Sequence, residues 1–237
     1  MGRFRKRSTE LELMDYPIED KAEIFQNFKE LVFINTYLGG PIHSLNAIRK
    51  LSGGQHALSV ADIGSGAGDF LNYLHQHSAK LPNDLSLAGI DMMTEAHQFA
   101  RTCFQGIESY SELVELDYRQ WFKDGHFPDI IHASLFCHHL TDDQLVEFFQ
   151  LSVKQARRAV VVNDLHRHPL AYHSIKWLCA AFSKSRFTQN DAPLSVLRGF
   201  SRKELEVILE RAGIKHYEIK WKWAFRFIIV IPANANK

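Results

Sequence analysis

Cysteine is scarce in this chain. There are three, Cys103, Cys137 and Cys179, an odd number set far apart. No pair has metal-ligand spacing, so neither a disulfide framework nor a zinc site is expected. The three are read as reduced thiols, small buried hydrophobes in a cytoplasmic protein. An excess of charge is missing too. Basic residues number 28 and acidic ones 27, for a net charge of +1. Nucleic-acid binders usually show a basic excess or stripe, and the chain as a whole does not. No apolar run reaches the ~18 residues of a membrane span, so no integral membrane contact is expected. The start, Gly2-Arg3-Phe4-Arg5-Lys6-Arg7, is basic with no apolar stretch behind it. A secretory signal is therefore not expected, and a mobile, solvated tail is favoured over contact with an anionic membrane surface. Lys6 stands where a myristoylation motif needs Ser or Thr. No internal repeat is visible.

What is present is an ordinary globular composition, 46% hydrophobic and 23% charged over 237 residues. That suffices for one α/β domain with a small lid. Apolar residues recur at helical spacing from Ile18 to Tyr37, and Gly39-Gly40-Pro41 ends that helix. A second helix runs through Leu45, Ile48 and Leu51. Strands and helices then alternate. Strands are expected at Ala57 to Ile63, Leu85 to Ile90, Leu113 to Leu116, Ile130 to Leu135 and Ala159 to Val162. The last is nearly all β-branched, as buried parallel strands are. Residues 166 to 199 break the order as a helical insertion followed by a basic-polar stretch at 183 to 190. Ser201, with Glu204 three residues on, caps another helix, and two closing strands can pair as an antiparallel hairpin. The expected fold is α/β: a Rossmann-like, doubly wound, mostly parallel seven-stranded sheet with a C-terminal hairpin and a helical lid. The chain divides into tail and lid helices (1–56), a cofactor-binding core (57–165), a lid insertion (166–200) and a closing segment (201–237), one domain overall.

The segment from Asp62 to Asp69 concentrates the chemistry. Gly64, Gly66 and Gly68 follow an apolar strand and open a helix. Glycine there permits positive φ and close approach of a ligand, and the helix N-terminus suits an anionic group. A dinucleotide fingerprint needs Gly-x-Gly-x-x-Gly, but Asp69 stands where its third glycine belongs. Asp91 ends the second strand, where a carboxylate can accept both hydroxyls of a ribose.

The pattern Asp62-x-Gly64-x-Gly66-x-Gly68 resembles motif I of class I S-adenosylmethionine-dependent methyltransferases. The resemblance covers about residues 57 to 165. It implies S-adenosyl-L-methionine as cofactor, with Asp62 holding water or the methionine part and Ser65 lying in the same turn. It further implies that Asp91 takes the ribose, that Met92 and Met93 flank the adenine, and that Leu116 and Asp117, at the third strand's exit, meet it. After the fourth strand stands Ser134-Leu135-Phe136-Cys137-His138-His139, not the Asp/Asn-Pro-Pro-Tyr/Phe that base-amino methyltransferases often carry. The segments 129–140, 158–165 and 193–200 are similar to small-molecule methyltransferases of bacteria, those of ubiquinone or menaquinone type and of polyketide and pigment pathways. Such a resemblance implies a small, largely hydrophobic acceptor, most readily a phenolic or polyketide-like hydroxyl. C-methylation of a ring and a non-catalytic binding subunit stay open beside it.

A phenolic acceptor benefits from a base within hydrogen-bond reach. His138, His139 and Asp164 lie at the sheet edge where ligands sit in such folds, and any of them can serve, though a histidine before Leu140-Thr141-Asp142 can also merely fix a helix start. No cluster has metal spacing, so metal-independent transfer is expected. In the lid, Tyr37, Tyr172 and Trp177 are candidate acceptor contacts, with His166 to position it and Arg198 to meet an anionic group. The chain is expected to act as a monomer or a homodimer.

Overall fold

The structure, a computed structural model, describes residues 2–17 and 20–236. Seven strands form one sheet: β1 (Ala57–Ile63), β2 (Asp84–Asp91), β3 (Glu112–Glu115), β4 (Ile130–Ser134), β5 (Ala159–Leu165), β6 (Glu218–Lys222) and β7 (Arg226–Pro232). Their order is β3-β2-β1-β4-β5-β7-β6. The pairs among β1 to β5 are parallel, and β7 runs antiparallel between β5 and β6. The expected hairpin is present, and its second strand lies inside the sheet.

The β-branched run of β5 explains itself in the packing. Val160 and Val162 enter the core on one face; Ala159 and Val161 enter the core on the other. Both faces are covered, so alternation in space needs no alternation in sequence. On the first face lie α5 (Tyr118–Lys123), α6 (Asp142–Gln155) and α9 (Arg202–Arg211), through residues such as Trp121, Phe148 and Leu209. The second face is covered by α2 (Gly40–Ser52) and α3 (Asp69–Gln76) through Leu45, Ile48, Leu71 and Leu74. A capping box holds the start of α9, with Ser201 Oγ accepting from the Glu204 amide, as the sequence predicts.

The cover over the sheet edge is built from α1 (Lys21–Tyr37), α4 (Thr94–Cys103), α7 (Pro169–Phe182) and α8 (Arg186–Arg198). Ile24 and Phe28 of α1 pack on Ala96 and Phe99 of α4. Ile175 and Cys179 of α7 and Leu194 of α8 form another cluster, against which Ile34 and Leu38 are packed. The Asp20 carboxylate accepts from the Ala22 amide and so starts α1; the expected start, Ile18, lies outside the described residues.

Four expectations need correction. The basic-polar stretch 183–190 is mostly helix, because Ser185 caps α8 through the Thr188 amide. A short helix, α5, follows β3 where none was expected. Cys103 is exposed, whereas Cys137 and Cys179 are buried. The N-terminal tail, exposed at Arg3, Arg5 and Lys6, is fastened rather than free: Arg7 donates to the His138, Leu140 and Arg198 carbonyls and to Asp142, and its guanidinium lies over the Phe200 ring. Five contacts of one arginine with groups distant in sequence fasten the tail to the sheet edge.

Candidate active site

The glycine turn between β1 and α3 forms one wall of the site. Gly64 and Ser65 donate to the Ile90 carbonyl at 2.8 and 3.2 Å, and Gly66 donates to Asp91 Oδ2 at 2.8 Å. Asp91 Oδ1 accepts from the Met93 amide at 2.9 Å. Asp91 thus locks the turn with one lone pair on each oxygen and keeps others for a ligand's hydroxyls. Gly64 sits at φ +67°, and a Cβ there would lie 2.2 Å from the Phe136 ring. Only glycine lets β4's exit approach so closely.

This turn lines a cleft of about 290 Å³ whose walls include Asp62, Ser65, Gly66, Asp91, Met93 and Ser134. Gly68 adjoins it as the left-handed N-cap of α3. Two observations fit an adenosyl cofactor. A Cβ at Gly66 would meet no atom within 4 Å, so the turn leaves an open cradle. The Ser65 hydroxyl is buried and has no hydrogen-bond partner among the described residues. Asp62 contributes less freely than expected, since its Oδ1 is held by His132 Nδ1 at 2.7 Å. Three other expected contacts lie off the cleft lining. Met92, in the bend that follows β2, is 66% exposed and does not line the cleft. Leu116 packs against the core, and Asp117 caps α5 through the Arg119 amide at 2.7 Å.

A second cavity, about 340 Å³ and largely apolar, adjoins the first. Leu31 and Asn35 of α1, Leu135 and His139 line both. Leu135 leaves β4 at φ +53°, a conformation costing a non-glycine residue about 1 kcal/mol, where the two cavities meet.

His138 lines the second cavity, 3% exposed, and Asp164 Oδ1 lies 2.7 Å from its Nδ1. Burial alone would raise Asp164, but the charge and hydrogen bond of His138 outweigh it and hold the carboxyl below its ordinary value. An ionised Asp164 accepts, so His138 Nδ1 carries a proton; in the neutral ring with that tautomer, Nε2 is the nitrogen that holds the lone pair. Glu12 Oε1 lies 3.8 Å from that Nε2, and its Oε2 lies 4.0 Å from His139 Nε2. Burial raises the Glu12 carboxyl. Asp15 lies 3.7 Å from His139 Nδ1 and is driven well below the usual range: burial opposes this, but His139, the Glu12 amide and Arg198 prevail. The donor atoms of Glu12, His138 and His139 all lie within 4.8 Å of one another, a spacing an ion can span.

None of the five expected acceptor contacts lines the second cavity. Tyr37 and Trp177 are 74% and 76% exposed. Tyr172 is buried and accepts from Arg3 Nη1 at 3.0 Å. His166 Nδ1 accepts from Trp221 Nε1. Arg198 is buried and fully committed, donating to the Glu10, His138 and His139 carbonyls and to Asp15. Instead, Arg226 lines the cavity. It donates to the Asn163 and Asn35 side-chain oxygens, and Asn35 Nδ2 donates in turn to Asp69. Burial lowers Arg226 to about 10, so it stays cationic at neutral pH. Glu12, Asn35, Asn163 and Arg226 carry no local motif; only their burial as polar groups at the site reveals them.

Residues 60–158 match the family model described as a methyltransferase domain. Over those residues, somewhat less than half of its length, the chain is similar to a methyltransferase domain. The cleft residues fit S-adenosyl-L-methionine, the cofactor that the resemblance implies. Solved structures share the class I fold of this domain. One is a candidate O-methyltransferase from Nostoc punctiforme, 16% identical with a TM-score of 0.57 over 88% of this chain; the chain spans 60% of that protein's length. Another is the plantazolicin methyltransferase BpumL in complex with S-adenosylhomocysteine, 15% identical with a TM-score of 0.62, covering 90% of this chain and 88% of that one. No curated protein matches the chain.

Proposed function

We propose that this protein is an S-adenosyl-L-methionine-dependent methyltransferase acting on the hydroxyl of a small, largely hydrophobic acceptor, phenolic or polyketide-like. One observation carries the reading: the glycine-turn cleft and the apolar cavity meet at Leu31, Asn35, Leu135 and His139. Two ligands seated in adjoining cavities react with the advantage of fixed proximity. Bound S-adenosyl-L-methionine supplies an electrophilic sulfonium methyl. The protein's own residues do the rest. Apolar side chains of α1, α7 and α8 enclose the acceptor and exclude water. His138, oriented by Asp164, takes the hydroxyl proton at Nε2 as the new O–C bond forms. Glu12 and His139 stand beside that nitrogen and position the same proton path. Buried Arg226, a cation in the cavity wall, stabilises negative charge that develops on the acceptor oxygen.

The test begins with calorimetric titration of S-adenosyl-L-methionine. Absence of binding at millimolar ligand in folded protein sinks the reading. Methyl transfer is then assayed on a panel of phenols, with NMR of the product to separate O- from C-methylation. His138→Asn and Asp164→Asn are expected to lower turnover about 100-fold or more while leaving donor affinity within about threefold. Full turnover in both removes the proposed base.

A further inference from the structure

We propose that the rim of the apolar cavity docks on an anionic lipid bilayer, from which a membrane-dissolved acceptor enters. The supply of acceptor rests on the proposed function; the docking itself does not.

Three segments frame the cavity: the C-terminal half of α1 through Ile34 and Leu38, α7 through Ser174 and Leu178, and the β6–β7 turn through Trp223. Each also turns large aromatic side chains to solvent. Phe33 and Tyr37 project from α1, Trp177 and Phe182 from α7, and Trp223 from the turn, each well over half exposed. By helix phase Phe33 and Tyr37 stand on the solvent side of α1, away from Ile34 and Leu38, so the rim itself is made by Trp177, Phe182 and Trp223. Exposed large aromatics mark an interaction surface, and Trp in particular suits the headgroup level of a membrane. The phase of α7 places the patch. At about 100° per residue, Leu170, Ser174, Trp177, Leu178 and Ala181 fall within one arc of about 100°. Ser174 and Leu178 line the cavity, so the exposed apolar stripe runs along its mouth.

Charge selects the occupant. The chain as a whole is balanced, 28 basic residues against 27 acidic. The framing segments are not: residues 31–38, 169–184 and 219–227 contain no Asp or Glu, but do contain Lys176, Lys184, Lys220, Lys222 and Arg226. Arg226 is buried and Lys220 pairs with Glu218, which leaves Lys176, Lys184 and Lys222 for the rim. Glu30 of α1 faces it, but its carboxylate accepts from Ser183 Oγ and the Lys184 amide. The basic N-terminus packs on another flank of α7, outside the stripe. Arg3 reaches the Tyr172 hydroxyl of α7, Phe4 packs on Tyr172 and His173, and Arg5 and Lys6 follow, both exposed. An aromatic rim bordered by lysines complements anionic headgroups. A second copy of this chain would bring the same cations face to face. Among the described residues no helix is long and apolar enough to span a membrane, so contact is confined to the surface.

The test is flotation of the full chain with phosphatidylcholine vesicles, with and without about 30 mol% phosphatidylglycerol. Binding is expected to the anionic vesicles only, and to fall steeply in high salt. Trp177→Ser with Phe182→Ser, both outside the cavity lining, is expected to weaken it about tenfold or more. Lys176→Glu is expected to do the same. Titration with S-adenosylhomocysteine confirms that each variant retains its fold and donor cleft. Equal binding to neutral vesicles, no binding to anionic ones, or binding unchanged in both variants overturns the proposal. So does a homodimer, seen by light scattering, that the aromatic variant dissociates. Vesicle binding needs neither donor nor acceptor, so it fails or stands independently of methyl transfer.

Discussion

Replacing Gly64 and Gly66 separately by alanine divides the two duties of the glycine turn. Both residues have positive φ, +67° and +50°. Alanine in that region costs about 1–2 kcal/mol, less a few tenths regained from a stiffer unfolded chain. At Gly66 nothing more is added to the free protein, since a Cβ meets no atom within 4 Å. At Gly64 the new methyl would stand 2.2 Å from Phe136 Cδ2 and 2.7 Å from its Cγ. Phe136 has little room to retreat, with ring centroids 5.8 Å from both Tyr118 and Phe148. Overpacking of this kind adds about 1–3 kcal/mol. Gly64→Ala is therefore expected to lose about 2–5 kcal/mol and Gly66→Ala about 1 kcal/mol, read from urea unfolding followed by circular dichroism. Donor affinity reverses the emphasis. The methyl at Gly66 enters the cleft itself, so calorimetry with S-adenosylhomocysteine should show affinity reduced about tenfold or more, about 1.4 kcal/mol, in a protein that still folds. Equal stability losses in the two variants would refute the Phe136 contact as the reason for glycine at 64. Parent-like affinity in Gly66→Ala would refute the cradle.

Two further expectations concern buried charge. Arg167, with its side chain 2% exposed, donates to both oxygens of Glu204 at 2.7 and 2.8 Å. Glu204→Gln leaves that guanidinium without a counter-charge and should cost about 3 kcal/mol in urea unfolding; a loss below about 1 kcal/mol would mean that the Phe4 and Gly199 carbonyls suffice. The carboxyls of Asp15, Asp164 and Glu204 are lowered in the folded state, so the stability they give is present above the unfolded carboxyl value and lost as pH falls through their folded values. Glu12 has the opposite sign. Burial raises it above 4.5, the folded state holds its proton more tightly, and its contribution falls as pH rises past that value. Melting temperatures should therefore show Glu12→Gln gaining on the parent as pH rises from about 4.5 to about 7, and a constant difference across that range would contradict the assignment.

The sequence by itself determined the glycine turn and the carboxylate that locks it, though Met92, Leu116 and Asp117, expected beside them, lie off the cleft lining. Strand, glycine turn and helix are decided by neighbours within a few residues: three glycines at positive φ, an apolar run before them and a carboxylate ending the next strand. Local sterics and backbone hydrogen bonding write such features into the chain directly, and the closing hairpin and the Ser201–Glu204 cap are legible for the same reason. His138 and Asp164 were recognisable as candidates because both follow or end strands at the sheet edge, but their 2.7 Å contact arises only from the pairing of β4 with β5. The acceptor side was decided by tertiary structure. Aromatic residues in the lid invite a role in the pocket, yet helix phase turns Tyr37 and Trp177 outward and long-range bonds bury Tyr172 and Arg198 as braces. Glu12 belongs to a stretch with no periodicity, and it reaches the histidines because Arg7 and Arg198 fasten that stretch to the sheet edge. Contacts of this kind join segments far apart in the chain; they depend on where the whole fold brings those segments, and no local spacing encodes them.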